Sequence, residues 1–197
     1  MGMFTKISQD AFDELQLDAG VLLNEFDPEN PAEPTDNQII AATTGGINAT
    51  CVPTFSDFGE DVDNVPLNMM EYKHLDGWEC KLATTVLGVS ADAIKLSIGV
   101  ADVSGNKVTP RRDLKQTDFT DAIWWVGDRA DGGFVAVKLM HALSTTGFNL
   151  QTTKNGKGQL SIELTGHVSI AAQNVVPMEF YSYEGSEGAT GATGATS

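Results

Sequence analysis

The fold is decided by residues 121–169, DAIWWVGDRADGGFVAVKLMHALSTTGFNLQTTKNGKGQLSIELTGHVS. The stretch reads as four strands in succession. Ala122 to Asp128 is apolar and aromatic, and Arg129 to Gly133 supplies a tight reversal. Phe134 to Leu143 then alternates Val135, Val137 and Leu139 against Ala136, Lys138 and Met140. Ser144 to Gly147 gives a second turn, before a short strand over Phe148 to Thr153. Lys154 to Gly158 contains Asn155-Gly156, a hairpin signal because both residues tolerate positive φ. Gln159 to Ser169 alternates Leu160, Ile162 and Leu164 with Ser161, Glu163, Thr165 and His167. Period-two patterning with one apolar and one polar face predicts antiparallel sheet, buried on one side and wetted on the other. Trp124 and Trp125 must point to opposite faces, so one fills the core and the other lies under a helix or a neighbouring chain.

Upstream, Ile7 to Leu17 fits a short amphipathic helix capped by Ser8 or an extended arm. Gly20 to Phe26 reads as a strand. Asp27 to Asp36 holds Pro28, Pro31 and Pro34 among acids and reads as a loop. Gln38 to Thr44 and Ile47 to Pro53 form two strand pieces around Gly45-Gly46, a bulge rather than a phosphate cradle. Thr54 to Gly77 has no clear period, and its second half carries Met69, Met70, Tyr72 and Leu75. Two readings stand: a segment folded against another subunit, or a long surface hairpin. Trp78 to Gly88 reads as a strand and Ala91 to Val103 as one helix, with Ser90 as N-cap and Ile94, Ile98 and Ala101 on one face. Lys107 to Thr120 is a connection, and Val176 to Tyr183 a last strand. From Gly185 the Gly-Ala-Thr triplets lack proline and are too few for a collagen helix, so a disordered tail is expected.

The charge is lopsided. Residues 1–79 carry 2 basic and 16 acidic residues, whereas residues 80–197 carry 10 and 11. Such a chain does not grip nucleic acid, which requires a basic stripe. No run approaches the roughly 18 apolar residues of a membrane span, and the start has no apolar core of a secretory signal. Lys6 stands where a myristoylation motif wants Ser or Thr. Cys51 and Cys80 read as buried free thiols.

Catalytic and metal patterns fail on inspection. Asp57-Phe58-Gly59 lacks the companion segments of a kinase. Asp57, Glu60, Asp61 and Asp63 lack the glycine and glutamate of a calcium loop, leaving a solvated acidic tip. His74, His141 and His167 lie apart from any second ligand at metal-binding spacing. Asn48-Ala49-Thr50 is a sequon inside a predicted strand. No enzyme and no cofactor is expected.

Several stretches in order carry a resemblance. They are Thr44 to Ile47, Asp57 to Asp63, Leu75 to Trp78, Ala101 to Val103, Thr109 to Leu114, Ile123 to Val126, Gly158 to His167 and Val176 to Tyr181. Across residues 20–183 the chain resembles the major tail tube proteins of long, non-contractile-tailed bacteriophages. The resemblance implies an antiparallel β-sandwich with one flanking helix, over residues 1–184, with residues 1–36 as an arm and residues 185–197 as a tail. It implies hexameric rings stacked around a tape-measure protein, capped by terminator and tip proteins, in a virion tail assembled in the host cytoplasm. Viral DNA would pass through without specific binding, and no membrane would be involved. The sequence lacks an appended immunoglobulin-like domain.

The residues fit that role on their own terms. Open sheet edges invite pairing with other chains, and head-to-tail contacts that close make rings with one continuous barrel. Ser161, Glu163 and Thr165 would then face the channel. The acidic tip (Asp57, Glu60, Asp61, Asp63) would meet Arg111, Arg112 and Lys115 between subunits or rings, with residues 54–77, including Met69, Met70 and Tyr72, as the inter-subunit loop. A secretion-system tube protein and a carbohydrate-binding β-sandwich are the alternatives.

Overall fold

A computed structural model describes residues 9–185. It is mainly β, with one short helix and ten strands among the described residues. These are β1 (Gln16–Leu23), β2 (Thr43–Asp57), β3 (Lys73–Val86), α1 (Ala91–Ile98), β4 (Ala101–Ser104), β5 (Lys107–Pro110), β6 (Thr120–Arg129), β7 (Phe134–Ser144), β8 (Asn149–Gln151), β9 (Gln159–Thr165) and β10 (Met178–Tyr183). One layer runs β1-β6-β7-β10. The other runs β2-β3-β9, and β8 and the end of β7 pair with the far side of β9. The layers face each other across Leu22, Leu82, Val86, Ile123, Leu139, Leu160, Ile162 and Leu164, all essentially inaccessible to water. No closed barrel forms among the described residues.

The β6–β7 hairpin and the β9 alternation stand as the pattern predicts. The simple four-strand order does not. β7 passes directly to β9 through Leu143–Thr165 and Ser144–Leu164, while β8 shrinks to three residues on the margin of β9. β7 serves both layers because its backbone turns left-handed at His141 (φ 46°), which redirects the strand.

Other boundaries move for local reasons. The expected helix to Val103 stops at Ile98, because Gly99 adopts φ 80° and an added Cβ there would come within 2.8 Å of the Ser144 carbonyl oxygen. Ala101 onward instead forms the β4–β5 hairpin around Gly105. Ser90 does cap α1, accepting from the Ala93 amide at 3.1 Å. The face that packs is Ala93 and Ser97 rather than Ile94 and Ile98; small side chains let the helix approach, and the Ser144 hydroxyl donates to the Ser97 carbonyl at 2.6 Å. Residues 9–12 make only a 3₁₀ turn, and β1 begins at Gln16, four residues before the expected start. Ile7, Ser8 and the repeats beyond Gly185 lie outside the described residues.

β2 starts at Thr43, and Gln38 to Ala42 contributes only the Leu23–Ile39 bridge instead of a strand. Gly45 and Gly46 do form a bulge, both with positive φ, where the β2–β3 register shifts. Trp124 does not pack under α1; it is buried within the chain, in a second cluster with Leu23 and Ala136. Phe26, between β1 and the proline-rich loop, lies over the outer face of its layer and meets Trp124 and Phe134 edge-on at 5.6 and 5.5 Å. Trp125 faces the main core, with its indole N–H donating to the Ala19 carbonyl at 2.9 Å.

Candidate assembly interface

The β2–β3 hairpin outruns the sandwich. β2 and β3 have 15 and 14 residues, but β3 pairs with β9 only from Lys81 to Val86. The stretch expected as one loop, Thr54 to Gly77, is therefore ladder at its two ends, over 54–57 and 73–77. Strand pairing continues to Asp57–Lys73, leaving 58–72 as the turn, so the surface-hairpin reading holds for the chain alone.

The register shows what the overhang carries. Cys51 opposes Cys80 and Pro53 opposes Trp78; after a bulge at Asp76, Phe55 opposes Leu75. Alternation puts these on the side that buries Cys80, Leu82 and Val86 further along. The core face thus continues past the core. There Phe55, Leu75 and Trp78 are 55%, 43% and 41% exposed. At the tip Phe58, Leu67, Met70 and Tyr72 are also exposed, Leu67 at 72% and Met70 at 81%. Exposed apolar side chains grouped along one hairpin make this surface the candidate for contact with a partner. Of the residues expected at the inter-subunit loop, Met70 and Tyr72 are exposed, and Met69 is half-buried beside them. Leu75 reads in sequence as part of the apolar second half of the segment, whereas Phe55, Leu67 and Trp78 are not grouped with it. The signal was the length mismatch between β3 and β9, visible only once the strands are registered.

The acidic tip divides into two roles. Asp57 is committed within the chain. It accepts from the Gly59 amide at 3.0 Å and the Asn68 amide at 3.3 Å, and pairs with Lys73 at 3.3 Å. These contacts, led by the Gly59 amide, hold its carboxyl below its ordinary 3.8. Glu60, Asp61 and Asp63 are exposed. Because the folded value is lowered, the stabilisation is present above the unfolded value and lost as pH falls through the folded one. Below about pH 4 the 58–72 turn is expected to loosen. Hydrogen exchange at the Gly59 and Asn68 amides reads this directly, and Asp57→Asn reproduces the loosening at neutral pH. Unchanged protection in both cases removes Asp57 as the anchor.

The basic cluster divides likewise. Arg111 clamps the β4–β5 hairpin to the following turn. Its Nε stands 2.9 Å from Asp102 as an ion pair without hydrogen-bond alignment, and its Nη2 pairs with Asp118. Asp118 is buried, and its second oxygen accepts from the Lys115 amide at 2.8 Å. Arg112 is exposed, and Lys115 reaches Asp102 only at 4.0 Å. Arg112 and Lys115 are the cluster members left to meet a partner.

Ser161, Glu163 and Thr165 face outward on β9, opposite the buried Leu160, Ile162 and Leu164. Register places Thr85, Ala83 and Lys81 of β3 beside them, and Thr44, Asn48 and Thr50 of β2 beyond. This outer face is a wall of small polar side chains. Its charges are partly cancelled, since Lys81 lies 2.6 Å from Glu79 and 3.7 Å from Glu163. Among the described residues the outer margin of β2 has no strand partner, whereas the far side of β9 is paired by β8 and the end of β7. Among the described residues no group of three or more His, Cys, Asp or Glu stands together to hold a metal ion, and no helix is long and apolar enough to cross a membrane.

No protein-family profile matches the chain, and no curated protein matches it. A solved structure described as the virion of native gene transfer agent (GTA) particle contains a similar chain, at 10% identity and a TM-score of 0.40, covering 83% of this chain and 95% of that one. A likeness that weak has no bearing on function.

Proposed function

We propose that this chain is a non-catalytic structural subunit that polymerises into a tail tube of the bacteriophage type, as hexameric rings stacked around a tape-measure protein. The observation that carries the reading is the β2–β3 overhang, whose core face runs on into solvent through Phe55, Leu75 and Trp78. A copy of the same chain is the occupant that also satisfies the open β2 margin. Lateral joining through these margins would bring six Thr- and Ser-rich walls into one barrel, with Ser161, Glu163 and Thr165 toward the channel. A wall without a basic stripe does not hold phosphates, so DNA would pass without stalling. Glu60, Asp61 and Asp63 would meet Arg112 and Lys115 across subunits and set register more than affinity. The order of stretches over residues 20–183 supports the same reading.

Negative-stain electron microscopy of the purified full chain, backed by sedimentation velocity, tests it. Rings or tubes of uniform diameter are expected. Monodisperse monomers at concentrations up to the millimolar range would overturn the proposal.

A further inference from the structure

Cys51 and Cys80 are direct cross-strand partners at the root of the overhang, with sulfurs 3.2 Å apart. Both thiols are free; Cys80 is fully buried and Cys51 is half-buried. Opposed residues in an antiparallel ladder have Cα atoms roughly 4.5–5.5 Å apart, inside the roughly 4.4–6.8 Å range that a disulfide spans. The backbone separation is therefore already suitable, and bonding needs the sulfurs to close by about 1 Å.

We propose that Cys51 and Cys80 are an oxidative modification site, closing to an intrachain disulfide when the chain meets a low-molecular-weight disulfide such as oxidised glutathione. The half-buried Cys51 loses its proton to solvent, and its thiolate attacks the glutathione disulfide. This forms a mixed disulfide on Cys51 and releases one glutathione thiolate. The Cys80 sulfur then attacks the Cys51 sulfur and expels the second glutathione, which takes up the Cys80 proton. Two protein thiols are oxidised while one glutathione disulfide is reduced to two thiols. Burial, reinforced by the contact with Cys51, pushes the Cys80 thiol up to about 12, so entry is through Cys51 and Cys80 resolves. The bond would fix the strand register where the hairpin leaves the sandwich. It depends only on chemistry within one chain, whether or not the chain forms tubes.

The test is incubation of the folded full chain with oxidised glutathione near pH 8, acid quench, alkylation and peptide mapping without reductant. The expected product has lost two hydrogens, shows a linked Cys51–Cys80 peptide and no alkylatable thiol, and unfolds roughly 5–10 °C higher until dithiothreitol is added. Cys51→Ser and Cys80→Ser each abolish the link. Two thiols still alkylatable after oxidation, a persistent glutathione adduct on Cys51, or linkage only between chains would each overturn the proposal. The conservative Cys80→Ala variant should still accept glutathione on Cys51; failure to do so would remove Cys51 as the point of entry.

Discussion

Replacing Leu67 and Met70 together with aspartate is expected to abolish tube formation while leaving the subunit folded. The two side chains are 72% and 81% exposed, so the isolated chain loses almost no buried apolar contact when they change. Surface substitutions of this kind stay within about 0.5 kcal/mol. Assembly is different. Burying a Leu or Met side chain against a neighbour is worth about 1.5–3 kcal/mol, and the variant would place two carboxylates in that contact instead. Losing about 3 kcal/mol at each contact weakens association on the order of 100-fold. The desolvation cost of the new charges adds to that. Electron micrographs should show no tubes at concentrations where the parent polymerises, with circular dichroism and the urea midpoint unchanged. Tubes of normal length would mean that the tip projects into solvent in the polymer.

The second large effect concerns stability. Arg111→Ala is expected to destabilise the chain by about 3–5 kcal/mol, the usual result of removing one partner from a buried ion pair. The guanidinium is the partner of the buried Asp118 carboxylate, and it also reaches Asp102 and the Asp113 carbonyl. Without it Asp118 keeps only the Lys115 amide, in a place where water does not replace the lost charge. Since whole domains are stable by about 5–15 kcal/mol, such a loss is severe. Adding Asp118→Asn should recover much of it, because a neutral amide tolerates burial better than an unpaired carboxylate. Arg112→Glu, one residue away and exposed, should leave the urea midpoint unmoved and change assembly alone. Equal stability of the parent and Arg111→Ala would show that the clamp contributes nothing.

That contrast also shows where the sequence stops being readable. Arg111 and Arg112 are the same residue type side by side, and only the position of Asp118, seven residues away through a turn, separates a structural guanidinium from a free one. Asp57 and Glu60 pose the same problem, resolved by two backbone amides that no pattern announces. The strands with strict alternation were legible because period two and burial are one fact seen twice: Leu160, Ile162 and Leu164 on β9 point inward as their spacing requires. α1 was legible at its start through Ser90 and not at its end, since Gly99 looked like one more residue of an amphipathic run. The 54–77 segment lacked a period because its strands are wet on both faces, so burial never imposed one on the sequence. The placement of Trp124 depended on Phe26 lying over it, a contact between distant segments that composition does not encode.

β7 belongs to both layers of the sandwich, paired with β6 and β10 along most of its length and with β9 at its end. Two sheets held only by side-chain packing can slide; two sheets sharing one covalent strand are hinged at a fixed point. Axial load on one layer is therefore passed to the other along the peptide chain itself. A column built from such units would resist shear between its inner and outer skins, and would yield first at the left-handed joint at His141.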